Sequence, residues 1–153
     1  MKTRIGALPP GVGVKLFAFL LLISTSALSQ SRSHVYRPNR LVVIDSTVTV
    51  TGVVYYKKKE KDGDLHINIR VGSQYSKMLN ARNIAKQKGC LVAEIVCAGK
   101  ITQPDAQQAC DNYDNTIPLP KVGDEITVTG PFVNDGDHGW NEIHPVISLR
   151  ITK

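Results

Sequence analysis

Long hydrophobic runs are missing from this chain. A membrane-spanning helix needs roughly 20 apolar residues, and the apolar stretch Leu16–Leu28 falls short of that. Stable membrane insertion is therefore not expected. Cysteine is scarce, with three in all, and none stands at the Ala27–Ser29 junction, which argues against a lipid-anchored form. Aromatic residues make up 6% of the chain, with a single tryptophan. That speaks against a single-strand nucleic-acid binder, which stacks bases on aromatic platforms. No helical His-Glu-x-x-His arrangement, nucleophile elbow or phosphate-cradling glycine loop is present, so the commonest metalloprotease, serine-hydrolase and nucleotide-binding readings fall away.

The N-terminus has instead the order of a secretory signal. Lys2, Arg4 and Lys15 supply positive charge without an acid, Leu16–Ile23 is apolar, and Ala27-Leu28-Ser29 offers small residues at the positions a signal peptidase reads. Residues 1–29 are expected to be cleaved, and the remainder to be secreted or periplasmic. Those three bases account for half of the formal +6, leaving +3 on the rest. A dedicated nucleic-acid binder carries a dense basic stripe. The one dense run, Lys57-Lys58-Lys59-Glu60-Lys61, adjoins a turn and reads more cheaply as a solvated hairpin tip. Support for a nucleic-acid partner is weak, and the partner is left as an unidentified ligand or protein.

Gln30–Arg40 lacks periodicity and is read as a flexible leader to a single domain, 41–153. From Leu41 the pattern is β-rich. Thr47–Tyr56 is almost all Val, Thr and Tyr, with Gly52 marking a bulge or bend. Asp62-Gly63-Asp64 is a turn. In Leu65–Val71, Leu65, Ile67, Ile69 and Val71 alternate with His66, Asn68 and Arg70. Ser73–Lys88 suggests a short helix or irregular helical turns. Leu91–Cys97 is a nearly apolar strand, and Ala98–Lys121 is a long loop that needs tethering. Glu125–Val133 is a fourth strand, whose Ile-Thr-Val-Thr-Gly echoes Val48–Gly52. After the polar loop Asn134–Gly139, Trp140–Ile151 reads as one last strand with Ile143, Ile147, Leu149 and Ile151 on one face. The expectation is an all-β fold with a small α insert: a five-stranded OB-like Greek-key barrel. The insert between strands two and three departs from the usual OB pattern, where the helix follows strand three.

Cys90 and Cys97 at opposite ends of one strand would stand roughly 23 Å apart, too far for a disulfide. Cys97 and Cys110 flank the long loop and can meet, so that bridge is expected, leaving Cys90 as a small buried apolar residue.

The notable segment is Asn134–Pro145. Strand alternation puts Trp140, Glu142 and His144 on one face, with Asp137 and His138 in the feeding loop. His66 and Asn68 form a polar face on the second strand, with Asp64 at its mouth. If those strands are neighbours, imidazoles and carboxylates converge. His66, His138, Glu142 and His144 are then candidate ligands for Zn²⁺ or another divalent metal, or parts of an acid–base site. Asp64, Asn68, Glu94, Asp137 and Trp140 support them. The plainer reading stays open: Asp135 and Asp137 are turn residues, Trp140 covers a barrel end, and Glu142 pairs with Arg70.

At these residues the chain resembles a family of small, mostly uncharacterised bacterial secreted proteins with an OB-like β-barrel domain carrying a DHGWxEIHP motif. The matching pieces include Thr49–Gly52, Asp62–Ile67, Leu79-Asn80, Leu91–Val96, Val128–Pro131 and Asp137–Pro145. The resemblance implies the same fold and export, points to His66, Glu94, His138, Trp140, Glu142 and His144, and agrees with a Cys97–Cys110 pair. The residue after Trp140 varies in that pattern, so Asn141 is not counted among the site residues. No reaction follows from the resemblance. Three readings stand: a secreted binding module with a His/Glu metal or ligand site, a nuclease-like hydrolase at the same polar face, and a structural or protein-interaction domain.

Overall fold

The computed structural model describes residues 34–153. The expected signal, 1–29, and the first residues of the expected leader lie outside that range. The rest is dominated by strands: β1 (Leu41–Lys59), β2 (Leu65–Val71), β3 (Leu91–Ile95), β4 (Glu125–Asp135), β5 (Asn141–Ile143) and β6 (Ser148–Ile151). One short helix, α1 (Ala81–Lys86), and three 3₁₀ turns complete the secondary structure of these residues.

Five strands form a ring. β1 pairs with β2, β2 with β3, β3 with β5, β5 with β4, and β4 returns to β1. Every pair in the ring is antiparallel except β3–β5. β1 can serve two neighbours because it is 19 residues long and bends. At its centre Gly52 is in register with both Val71 of β2 and Ile126 of β4. A Cβ there would run into the Arg70 carbonyl oxygen and the Ile69 side chain. The echoing Gly130 is confined in the same way by the Pro145 carbonyl and Ile143. Both glycines therefore mark close backbone approach.

The ring encloses Val50, Val54, Leu65, Ile67, Ile69, Leu91, Ala93, Ile95, Ile126, Val128 and Ile143. Of these, Leu65, Ile67, Ile69 and Ile143 are the ones that strand alternation assigned to an apolar face. Tyr75, Met78 and Leu79 of the insert pack against this core. α1 begins with a capping box in which Asn80 and Asn83 satisfy each other's backbone N–H groups.

The structure differs from expectation in three places. The last strand is two strands: Pro145 has no N–H to give to a ladder, so β5 ends at Ile143 and β6 begins at Ser148. The alternation loses phase across the break, and Val146 rather than Ile147 enters the core. The ring still has five members because β6 pairs only with β4, at the end away from β5. The described part of the leader, from His34, is docked: Val35 is buried with Leu41, Val96 and Val133. Arg70 does not pair with Glu142, because its guanidinium lies over the Tyr55 ring at 3.8 Å.

Cys97 and Cys110 are bridged, with Cα atoms 5.7 Å apart, and Cys90 is free and buried. Burial pushes the Cys90 thiol up, against the pull of Arg70, as befits an inert core thiol. The loop after Cys97 is also tied to the β1–β2 turn, where the Thr102 and Gln103 N–H groups donate to the Lys61 carbonyl.

Candidate functional site

Odd-numbered residues of β2 point into the barrel, so His66 and Asn68 point out of it. Cross-strand register sets His66 opposite Glu94 of β3. The parallel register of β3 and β5 sets Val92 opposite Glu142. One outward face of three neighbouring strands thus carries His66, Glu94 and Glu142. Yet this face is buried, with Glu142 0% and His144 1% exposed. Buried charge is tolerated only where it is paired and hydrogen-bonded, and here it is.

The network can be followed atom by atom. The Trp140 Nε1–H donates to Glu142 Oε2 at 2.9 Å. Glu142 Oε1 lies 2.9 Å from His144 Nδ1, which is also 3.4 Å from Glu94 Oε2. Glu94 Oε1 lies 3.0 Å from His66 Nδ1, and His66 Nε2 lies 2.9 Å from Asn68 Oδ1. Asn68 Nδ2 donates to the Gln87 backbone carbonyl and side-chain oxygen. That leaves the Asn68 oxygen for His66, so Nε2 carries a proton, while Nδ1 meets a carboxylate. Both ring nitrogens of His66 thus face acceptors, an arrangement that favours its charged form.

The electrostatics agree. Burial alone would lower both imidazoles, but for His66 the Glu94 hydrogen bond and charge outweigh it and hold its pKa above the usual value. Burial likewise opposes the charge of His144, and the Glu94 and Glu142 carboxylates overcome it, raising His144 to about 9. Glu94 is held low by His144 and His66 despite its own burial. Asp64 goes the other way, pushed up to about 8 by burial and by neighbouring Asp62.

His138 and Asp137 stand apart from this buried line. The His138 ring lies flat on Trp140, with centroids 4.3 Å apart and planes at 3°. Its Nδ1 is 2.9 Å from Asp135 Oδ2, and half of the side chain is open to solvent. Asp137 is exposed. Of the four candidate ligands, His66, Glu142 and His144 share the network and His138 covers its tryptophan. Both carboxylate oxygens of Glu142 and both ring nitrogens of His66 are held in hydrogen bonds, whereas Glu94 Oε2 has only the 3.4 Å contact with His144 Nδ1. Among the described residues the side chains that converge with metal-ligating geometry are instead Asp64, Glu94 and His144, with one ligand atom from each within 4.8 Å of the others.

Above the network lies a cleft of about 560 Å³. His66, Glu94, Trp140, His138, Gln87 and Gln103 line it, with Arg40, Lys58, Lys59 and Lys61 alongside the acids Glu60 and Asp62. Lys58 pairs with Glu60 at 3.0 Å.

Sequence reasoning passed over several residues that shape the site. Asp135 is 1% exposed; its Oδ1 accepts the N–H groups of Asp137 and His138, and its Oδ2 meets His138 and Arg40. The Asp-Gly-Asp turn was its only signal. Asn141 is a hub: its N–H donates to Asn83, its side-chain oxygen accepts from Asn80 and Asn134, and its amide donates to the Met78 carbonyl. This ties the β4–β5 hairpin to the start of α1. No protein-family model and no curated protein matches the chain.

Proposed function

We propose that this chain is an exported binding module on an OB-like Greek-key barrel, related to the bacterial secreted family that carries the DHGWxEIHP motif. The ring order with its one parallel pair, β3–β5, supports the OB-like reading. The Cys97–Cys110 bridge fits an oxidising compartment, and no described helix is long and apolar enough to cross a membrane.

The observation that carries the binding role is the position of the cleft. It lies over the outer faces of β2 and β3, between the β1–β2 tip and the β4–β5 loop, where OB barrels take oligonucleotides and oligosaccharides. Its Trp140–His138 stack offers a flat surface, its floor offers hydrogen-bonding groups, and its lysines favour negative charge. The ligand class these features fit is an anionic chain segment with a flat sugar or base face.

Trp140 is the only tryptophan, so its fluorescence reports on the cleft directly. Titration with a sulfated oligosaccharide and with a short single-stranded oligonucleotide is expected to give a saturable change for one of them. That affinity is expected to weaken at least about tenfold in a Lys59→Glu, Lys61→Glu variant, as rim charges act through local potential. Wild-type protein unresponsive to both probes at low salt would remove the reading. A hydrolytic role at the same floor rests on the His66–Glu94 pair, since a carboxylate-held imidazole can move protons. Turnover of a probe by wild type but not by His66→Ala would separate catalysis from binding.

A further inference from the structure

The buried network leaves two polar atoms without a hydrogen-bond partner, and they face each other. Asp64 Oδ2 and His144 Nε2 are both buried and unpartnered, and they stand 3.8 Å apart. The two residues are 3% and 1% exposed. Leaving such groups unsatisfied is costly, and the gap between them is wide for a direct hydrogen bond. Two ligands at about 2.1 Å from a tetrahedral Zn²⁺ would be about 3.4 Å apart, so a few tenths of an ångström of closure fits an ion between them.

We infer that Asp64, Glu94 and His144 form a buried site for one divalent metal ion, Zn²⁺ by preference. Three further features aim the ligands. His144 turns Nδ1 to Glu142 at 2.9 Å, which presents Nε2 to the ion in the carboxylate–imidazole–metal arrangement common to zinc sites. Glu142 is itself fixed by the Trp140 N–H. Asp64 Oδ1 accepts the Cys97 backbone N–H at 2.9 Å, so Oδ2 is the oxygen left to ligate. One imidazole with two carboxylates suits Zn²⁺ first and Mn²⁺ next. Glu94 lines the cleft and gives the ion a way in. The site does not depend on the cleft having a ligand.

The test uses the full exported chain purified without a polyhistidine tag, stripped with a chelator and titrated with ZnCl₂ or MnCl₂. Calorimetry is expected to show one ion per chain. A hundredfold excess over Kd is expected to raise Tm by at least about 5 °C. Asp64→Asn, which keeps the shape and the Cys97 contact, is expected to lose at least about tenfold in affinity. A second measurement needs no variant: in histidine-¹⁵N-labelled wild type, the metal should shift the His144 ring nitrogens and leave those of His34 in place. Absence of stoichiometric uptake of both ions, an Asp64→Asn protein that binds as wild type does, or unchanged His144 resonances at saturating metal would each overturn the site.

Discussion

Trp140 links the exposed and the buried parts of this site. Its ring carries His138 on one face, meets His66 edge-on with centroids 6.1 Å apart, and donates its one N–H to Glu142. A Trp140→Phe variant keeps an aromatic body and removes that N–H. It leaves Glu142 Oε2 buried without a partner and is expected to cost about 1–3 kcal/mol, read as a lower urea midpoint at unchanged m-value. At this scale the sequence was informative wherever strand alternation applied. That pattern put Trp140, Glu142 and His144 on one face, and hydrogen bonds from Glu142 to both neighbours hold them together. It was silent on Asp135 and Asn141, whose partners are loop N–H groups and the α1 cap. Contacts made by hairpin ends depend on how elements dock, and no periodicity encodes that.

Among the elements, the segment from Cys97 to Cys110 shows how an irregular stretch is held in place. It closes on itself through the disulfide, with a sequence separation of 13. It is also pinned to the β1–β2 turn by backbone hydrogen bonds, including the Gly99 N–H to the Gly63 carbonyl. In the chain-entropy account a bridge over a loop of this size contributes about 3 kcal/mol. A Cys97→Ala, Cys110→Ala variant is expected to lose about that much in chemical denaturation; an unchanged midpoint would mean that the hydrogen bonds alone hold the loop. This element was legible because strand length excluded the competing Cys90–Cys97 pair. The split of the final strand was not read, although its cause stood in the sequence as Pro145. The Ile143-x₃-Ile147-x-Leu149 pattern points to one strand, and the missing N–H of Pro145 makes it two.

For the whole molecule, the decisive fact is that the ring closes. Each of its five strands has two ladder neighbours within it, so no strand of the ring can leave without opening two ladders. Unfolding is therefore expected to be a single cooperative transition, with Trp140 fluorescence and far-UV circular dichroism superimposing. Refolding is expected on the millisecond-to-second scale of non-local β topologies. Separate fluorescence and dichroism midpoints would show the outer face melting apart from the barrel. The number of ring strands and the inward face of β2 were legible from the β pattern. The return of β4 to β1 was not, since pairing partners far apart in sequence leave no trace in local composition.

Cys97 joins two of these scales. It is one half of the bridge, its backbone has a left-handed φ of 54°, and its amide hydrogen orients Asp64. The surroundings that keep sulfur oxidised thus also keep a buried carboxylate aimed. A chain matured in a reducing compartment would retain its strands, but it would lose the anchor that steadies the amide beneath Asp64, so arrival in the right compartment becomes a condition for a well-formed interior.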